Sequence, residues 1–257
     1  MKKNILLRNG YLSAVYLFFY LPLIVLIVLS FNNAHLSFNW HGFTWQWYQA
    51  LWQDTQLHLA LWHSLSVSLL AASAATFIGS VGAIALYRYR VKGRQLIYGL
   101  VFILIILPDL VMGISLLLLF TIFKLPLGFV SLLLAHITFC LPFVVVLVYS
   151  RLSGFNEHLL EAAKDLGAND YITFHRIIVP LLKPAILAAW FLSFSLSIDD
   201  LVISFFVSGP TYQILPIYIY SQLRVGPTPE INALCTLIIL VTFLLVVVAQ
   251  YFLRKRA

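Results

Sequence analysis

Three carboxylates lie within or at the edge of long apolar stretches of this chain: Asp109, Asp199 and Asp200. An acid near the centre of a membrane-spanning helix costs about 2.5 to 3.5 kcal/mol on insertion scales, so it normally lines an aqueous path or faces other protein. Two carboxylates that share a proton could also do the chemistry of an intramembrane aspartyl protease. The hypothesis is therefore that these acids are functional, and the competing hypothesis is that internal hydrogen bonds satisfy each of them.

The residues around the acids refine this hypothesis. Pro108 predicts a local break in its helix, where a capping role for Asp109 competes with a role in a path. Asp199 and Asp200 are neighbours, about 100° apart around a helix, so one could face a path while the other holds a backbone group or a basic side chain. We expect no basic residue deep in a span, which leaves a passing cation, such as a linear polyamine, as the natural partner of the acids.

The elements that carry these acids are predicted to span a membrane. The chain has 257 residues, of which 62% are hydrophobic and only 10% charged, which excludes an ordinary soluble domain. Apolar stretches of about 20 residues, long enough to cross a bilayer, occur at 11–31, 64–87, 96–123, 128–150, 182–207 and 231–253. The sequence therefore predicts an all-α membrane protein with six transmembrane helices and a single domain over residues 1–257.

The basic residues predict the orientation. All Lys and Arg residues except Lys124 and Arg224 fall on the side of the N-terminus, and by the positive-inside rule this side is the cytoplasm. We therefore expect a multi-pass protein with both termini cytoplasmic, and its net charge of +7 needs no nucleic-acid partner. The two cysteines match neither a disulfide framework nor a metal motif.

Two other segments have informative patterns. Residues 32–63 contain five tryptophans and no Lys or Arg, which favours an external interfacial segment. One face of a short helix there would carry Phe43, Trp47, Tyr48 and Leu51. Small residues recur at every fourth position of the second span, which permits close helix packing, and we expect that packing within this subunit: Ala71, Ala75, Gly79 and Ala83.

The most polar internal stretch, residues 157–180, belongs to a predicted cytoplasmic loop at about 151–180. Asn156 can cap a first short helix, and Gly167 lies where a helix-terminating glycine is expected. Asn169 or Asp170 can cap a second helix. Pro180 predicts a break before the next apolar run. The pattern favours an angled helix pair that could dock on another protein.

This stretch resembles the cytoplasmic Glu-Ala-Ala loop of ATP-binding-cassette importer permeases. The residues that carry the resemblance are Glu161, Ala162, Ala163, Gly167 and Pro180. It implies a type I importer permease fold in which these residues form the helix that couples to an ATPase subunit. The chain has no Walker-type phosphate loop, so we expect no catalytic site and no cofactor here, with ATP and Mg²⁺ used by the partner.

Other motifs resemble those of spermidine/putrescine importer permeases, over nearly the whole chain: Leu107-Pro108-Asp109, Ser197-Ile198-Asp199-Asp200, Ser208-Gly209-Pro210 and the run from His136 to Val146. The resemblance implies a second permease subunit, two ATPase subunits and a periplasmic polyamine-binding protein as partners. A permease for another solute, such as iron or an anion, and a cation-coupled secondary transporter remain alternatives. An anion path would require deep basic residues, and a protease would leave the coupling loop unexplained.

Overall fold

The computed structural model describes residues 2–34, 39–89, 93–154, 165–226 and 228–254. These residues form helices and no named strand, with an isolated antiparallel bridge between Asn32 and Phe43, so the all-α prediction is confirmed. The helices are α1 (Lys2–Leu29), α2 (Gln46–Gln53), α3 (Thr55–Arg88), α4 (Arg94–Ile106), α5 (Asp109–Ile122), α6 (Phe129–Ser153), α7 (170–198), α8 (Val202–Val207), α9 (Leu215–Val225) and α10 (Pro229–Arg254).

Four described helices are long and apolar enough to cross a membrane. The count rises to five spans if one bent pair of helices is counted as a single broken span. The four are the Arg8–Leu29 part of α1, α3, α6 and the Tyr171–Ile198 part of α7. The broken one consists of α4 and α5, which meet at a bend of 109°. The sixth predicted span corresponds to α10, and a count of six spans stays a prediction.

Helix α3 begins nine residues before the apolar run at residue 64 because Asp54 caps it. The Asp54 Oδ1 atom accepts hydrogen bonds from the backbone N–H groups of Gln56, at 2.8 Å, and Leu57, at 3.0 Å. This satisfies two of the N–H groups that a helix start leaves without partners. The polar residues before the predicted span therefore extend the helix on its predicted external side.

The chain forms two compact units, one of residues 1–58 with 218–257 and one of residues 59–217. In the first unit, α10 packs against α1 and α2. Trp47 and Leu51 of α2 are buried, and the Trp47 indole donates to the carbonyl of Asn32 at 2.8 Å. Phe43 precedes α2 and stacks on Phe31, so only part of the predicted apolar face belongs to the helix.

In the second unit, α6 packs along α7 and also contacts α4, α5 and α8. The small residues of α3 face this core, with Ala71, Ala75 and Ala83 fully buried. A Cβ atom at Gly79 would lie only 2.7 Å from Cγ1 of Val144. The expected packing within the subunit is therefore confirmed.

Pro180 does not break its helix, contrary to the prediction. Helix α7 runs through Asp170–Thr173, a π-helical turn at Phe174–Ile178 and Val179–Ile198. The Val179 N–H bonds to the carbonyl of Phe174, five residues back. This wider turn shifts the hydrogen-bond pattern immediately before Pro180, where the missing N–H and the bulky ring would otherwise interrupt the helix.

Candidate functional site

The first acid lies at a break in a span. Helix α4 ends at Ile106, Leu107 and Pro108 are extended, and Asp109 begins α5. The break predicted from Pro108 is confirmed. No side-chain capping bond is found at this helix start, and the Asp109 side chain is exposed.

The other two acids, Asp199 and Asp200, lie at a second helix break. The prediction of a continuous span at 182–207 is therefore wrong. Helix α7 ends at Ile198 and α8 begins at Val202. The Asp199 side chain is exposed, whereas Asp200 is buried. The two neighbours therefore face different environments, as their spacing predicted.

Asp200 holds the start of α8. Its Oδ1 atom accepts from the N–H of Ile203 at 3.3 Å, and its Oδ2 atom accepts from the N–H and the hydroxyl of Ser204 at 2.8 and 2.7 Å. Helix α8 loses these bonds if the carboxylate turns away. The break is needed for this geometry, because a continuous helix would bond the same N–H groups to its own carbonyls.

A basic side chain lies deep in a span, contrary to the expectation. His136, in the first half of α6, is buried with its Nε2 atom 3.6 Å from Oδ2 of Asp200. The same Nε2 atom is 2.8 Å from Oγ of Ser204, and Nδ1 is 2.6 Å from Oγ of Ser197. Sequence reasoning considered only Lys and Arg as counter-ions, although an intramembrane histidine is the same kind of signal as an intramembrane acid.

The helices that follow the two breaks pack against each other. A Cβ atom at Gly113 of α5 would be 3.3 Å from Cα of Ile203 in α8, and one at Gly209, after α8, would be 2.8 Å from the carbonyl oxygen of Leu127, after α5. The two helices therefore run side by side in the same direction. Asp109 precedes Gly113 by four residues, and Asp199 precedes Ile203 by four. At 1.5 Å per helical residue, Asp109 comes about 6 Å before this contact, whereas Asp199 lies in the break itself, three residues before α8 begins at Val202.

At each break, the carbonyl end of one helix meets the N–H end of the next. The carbonyl groups that end α4 and α7 have no helical partner beyond the break and carry the negative end of each helix dipole. Residues 95–123 and 184–223 contain no Lys or Arg. In the part of the chain that the structure describes, no group of three His, Cys, Asp or Glu side chains could hold a metal ion.

The coupling loop is described in part. Glu161, Ala162 and Ala163 lie outside the described residues. Gly167 has a φ of +77°, as expected for a glycine that terminates a helix. Asn169 Oδ1 accepts from the N–H of Ile172 at 2.8 Å, which confirms a cap at the start of α7.

The family model for binding-protein-dependent transport system inner membrane components matches residues 75–257. The chain belongs to this family. The spermidine/putrescine transport system permease protein PotC of Escherichia coli K12 is 50% identical to this inner membrane component over 251 residues, which cover 98% of the chain and 95% of that protein. The putrescine transport system permease protein PotI of the same strain is 39% identical over 229 residues, covering 86% and 82%.

Solved structures show the same fold at low sequence identity. A chain of a bacterial ABC transporter that imports the acidic polysaccharide alginate is 16% identical, with a TM-score of 0.74 over 98% of this chain and 97% of that one. A chain of the MetNI methionine ABC transporter is also 16% identical, with a TM-score of 0.67 over 81% and 98%. The inner membrane component therefore has the fold of ABC importer chains.

One acid outside the spans was not singled out from the sequence. The Tyr218 hydroxyl donates to Oδ2 of Asp54. Burial raises the pKa of Asp54, but the hydrogen bonds from Tyr218, Leu57 and Gln56 outweigh it, so this pKa lies below its ordinary value. Burial and the bond to Asp54 both raise the pKa of Tyr218. The pair ties α9 to the cap of α3 on the predicted external side.

Proposed function

We propose that this chain is a transmembrane permease subunit of an ATP-driven polyamine importer and forms part of its translocation path. The observation that supports the proposal is the pair of broken spans, each with an exposed carboxylate at its break, Asp109 before α5 and Asp199 before α8, where α5 and α8 pack against each other. A linear polyamine has ammonium groups separated by methylenes and would match two spaced carboxylates. The relatives named for spermidine and putrescine transport support this substrate class.

The proposed assembly contains this chain with six transmembrane helices in a type I importer fold and both termini in the cytoplasm. Its partners are a second permease subunit, two ATPase subunits and a periplasmic polyamine-binding protein. The ATPase partners use ATP and Mg²⁺, and this chain has no catalytic site or cofactor. The residues proposed to couple it to the ATPase are Glu161, Ala162, Ala163, Gly167 and Pro180.

The proposed path works by local charge. An ammonium group entering the apolar region loses hydration, and the side-chain oxygens of Asp109 and Asp199 replace part of this hydration. The carbonyl ends of α4 and α7 add acceptors next to each acid. Rocking of the helices around these two acids would open the proposed site to one side of the membrane and then to the other. Asp200 contributes by holding α8 and does not need to contact the substrate.

The test uses Asp109→Asn and Asp199→Asn, which preserve size and remove charge. Cells lacking this chain would receive each variant, and uptake of labelled spermidine and putrescine would be measured. We expect normal insertion and co-purification with the ATPase but at least about tenfold less uptake, as for a lost interaction with a charged group. The matched control is Ser115→Ala, whose exposed hydroxyl bonds only to its own helix, at the carbonyl of Val111.

Each alternative has its own outcome in this experiment. Full uptake by both variants would refute the carboxylate path. Polyamine uptake that does not depend on this chain would favour another solute, such as iron or an anion. Uptake that persists without the ATPase would favour a cation-coupled secondary transporter.

A further inference from the structure

His136 connects the two sides of a helix break. Its Nδ1 atom contacts Ser197 in the last turn of α7, and its Nε2 atom contacts Ser204 in α8, at 2.6 and 2.8 Å. The residues between these serines include Asp199 and Asp200. The His136 and Ser197 side chains are each 1% exposed, and Ser204 is fully buried. One imidazole ring therefore bridges the break from the neighbouring helix α6.

The directions of the hydrogen bonds follow from what each group can donate. The Asp200 Oδ2 atom accepts a hydrogen bond from the Ser204 hydroxyl at 2.7 Å. The Ser204 oxygen must then accept from the imidazole, so Nε2 of His136 carries a proton. In the neutral ring, Nδ1 is an acceptor for the Ser197 hydroxyl. Each polar atom facing the ring then has a bonding partner, and the ring orientation is specified.

We infer that His136 is a positioning residue for Asp199. This inference rests on the proposed function. By holding Ser197 and Ser204, and through Ser204 the Asp200 carboxylate, the imidazole determines the shape of the break. Asp200 is kept in the protein interior, and its neighbour Asp199 is consequently turned to the exposed side. His136 itself is buried and does not contact the substrate.

An apolar replacement would remove this control. In His136→Leu, the Ser197 and Ser204 hydroxyls lose their common partner, and Asp200 loses the nearby ring. A buried carboxylate with fewer partners is destabilised and turns toward water if the backbone permits. Residues 199–201 lie between α7 and α8, outside regular helix. The position of the Asp199 side chain is then no longer defined.

The experiment measures the environment of residue 199 directly. In a chain with Cys140→Ala and Cys235→Ala, a cysteine is placed by Asp199→Cys, and its labelling rate with a charged thiol reagent is measured in the assembled complex. We expect His136→Leu to change this rate about tenfold, as for the loss of the two hydrogen bonds that join its ring to Ser197 and Ser204. A cysteine from Gln49→Cys, exposed in α2, is the control and should label at an unchanged rate.

Uptake is measured in parallel with the natural Asp199 present. We expect His136→Leu to lower polyamine uptake about tenfold while the complex still co-purifies with its ATPase. Ser197→Ala removes one end of the bridge and is the second variant if His136→Leu fails to assemble. It should have a smaller effect in the same direction on both measurements.

The results separate this inference from the proposed function. An assembled variant with a wild-type labelling rate at residue 199, or with a wild-type uptake rate, would overturn the positioning role. Full uptake by Asp199→Asn would instead refute the proposed path, whatever the labelling rates are. Parallel changes in labelling at residues 199 and 49 would indicate a general structural defect and would also overturn the inference.

Discussion

Substitution of Gly167 tests the coupling loop because its effect arises only from the backbone. The residue has a φ of +77°, and a Cβ atom would meet no other atom within 4 Å. A residue with a side chain costs about 1 to 2 kcal/mol in the left-handed region. This corresponds to a factor of about 5 to 30 in the population of the ordered turn. Steric overlap therefore contributes nothing to the expected decrease in the population of the ordered turn.

The variants form a graded series. Asparagine tolerates the left-handed region, alanine less well, and the β-branched valine least. We therefore expect Gly167→Asn to retain most of the coupling, Gly167→Ala to lose part of it and Gly167→Val to lose most. Gly154→Ala is the matched control, because Gly154 has a φ of −87° and a Cβ there would make ordinary contacts at 3.8 Å.

The assay is the ATPase activity of the reconstituted complex with and without the loaded binding protein. The expected result is lower stimulation in the order Asn, Ala, Val, with unchanged insertion and a wild-type response from Gly154→Ala. Wild-type stimulation in Gly167→Val would refute the reasoning. A defect in Gly167→Asn as large as that in Gly167→Val would show that the backbone conformation is not the cause.

Two further predictions concern packing and pH. Gly79→Val should lower the free energy of unfolding by about 1 to 3 kcal/mol through overpacking against Val144, whereas Gly82→Val, with no atom within 4 Å of its Cβ, should cost less in the same denaturation assay. The lowered pKa of Asp54 contributes stability that is complete above its ordinary value of 3.8 and is lost as the pH falls through the folded-state value. Tyr218→Phe removes a hydrogen bond to that carboxylate and should move this loss to higher pH, measured by tryptophan fluorescence; an unchanged acid transition would contradict it.

Features with strong local causes were predictable from the sequence. Pro108 restricts the backbone on both sides of itself, so the break between α4 and α5 follows from one residue. Gly167 and Asn169 form a helix end and a helix start that depend on neighbouring residues alone. The prediction of a helix break at Pro180 also used local residues alone, and it was wrong. A π-helical turn immediately before Pro180 accommodates the missing N–H and the ring.

Features that depend on contacts between distant residues were not predictable. The spacing of Asp199 and Asp200 indicated that they face different ways, but it could not show which one faces inward. The start of α8 decides this, because Asp200 caps it. His136 is 64 residues before Asp200 in the sequence, and only the packing of α6 against α7 and α8 brings them together.

The attraction between the two exposed carboxylates and a substrate's ammonium groups has a magnitude that suits the proposed transport. Placing an ammonium group at the bilayer centre costs about 2.5 to 3.5 kcal/mol on insertion scales. A carboxylate about 4 Å away returns about 4 kcal/mol at an effective dielectric constant of about 20. One carboxylate therefore approximately offsets the cost of one ammonium group, and Asp109 with Asp199 can offset two. A third exposed acid would hold the substrate more tightly and slow its release, whereas the bonds between Asp200 and Ser204 keep Asp200 out of the proposed path. The same interactions that keep α8 in place thus keep the proposed site weak enough for passage.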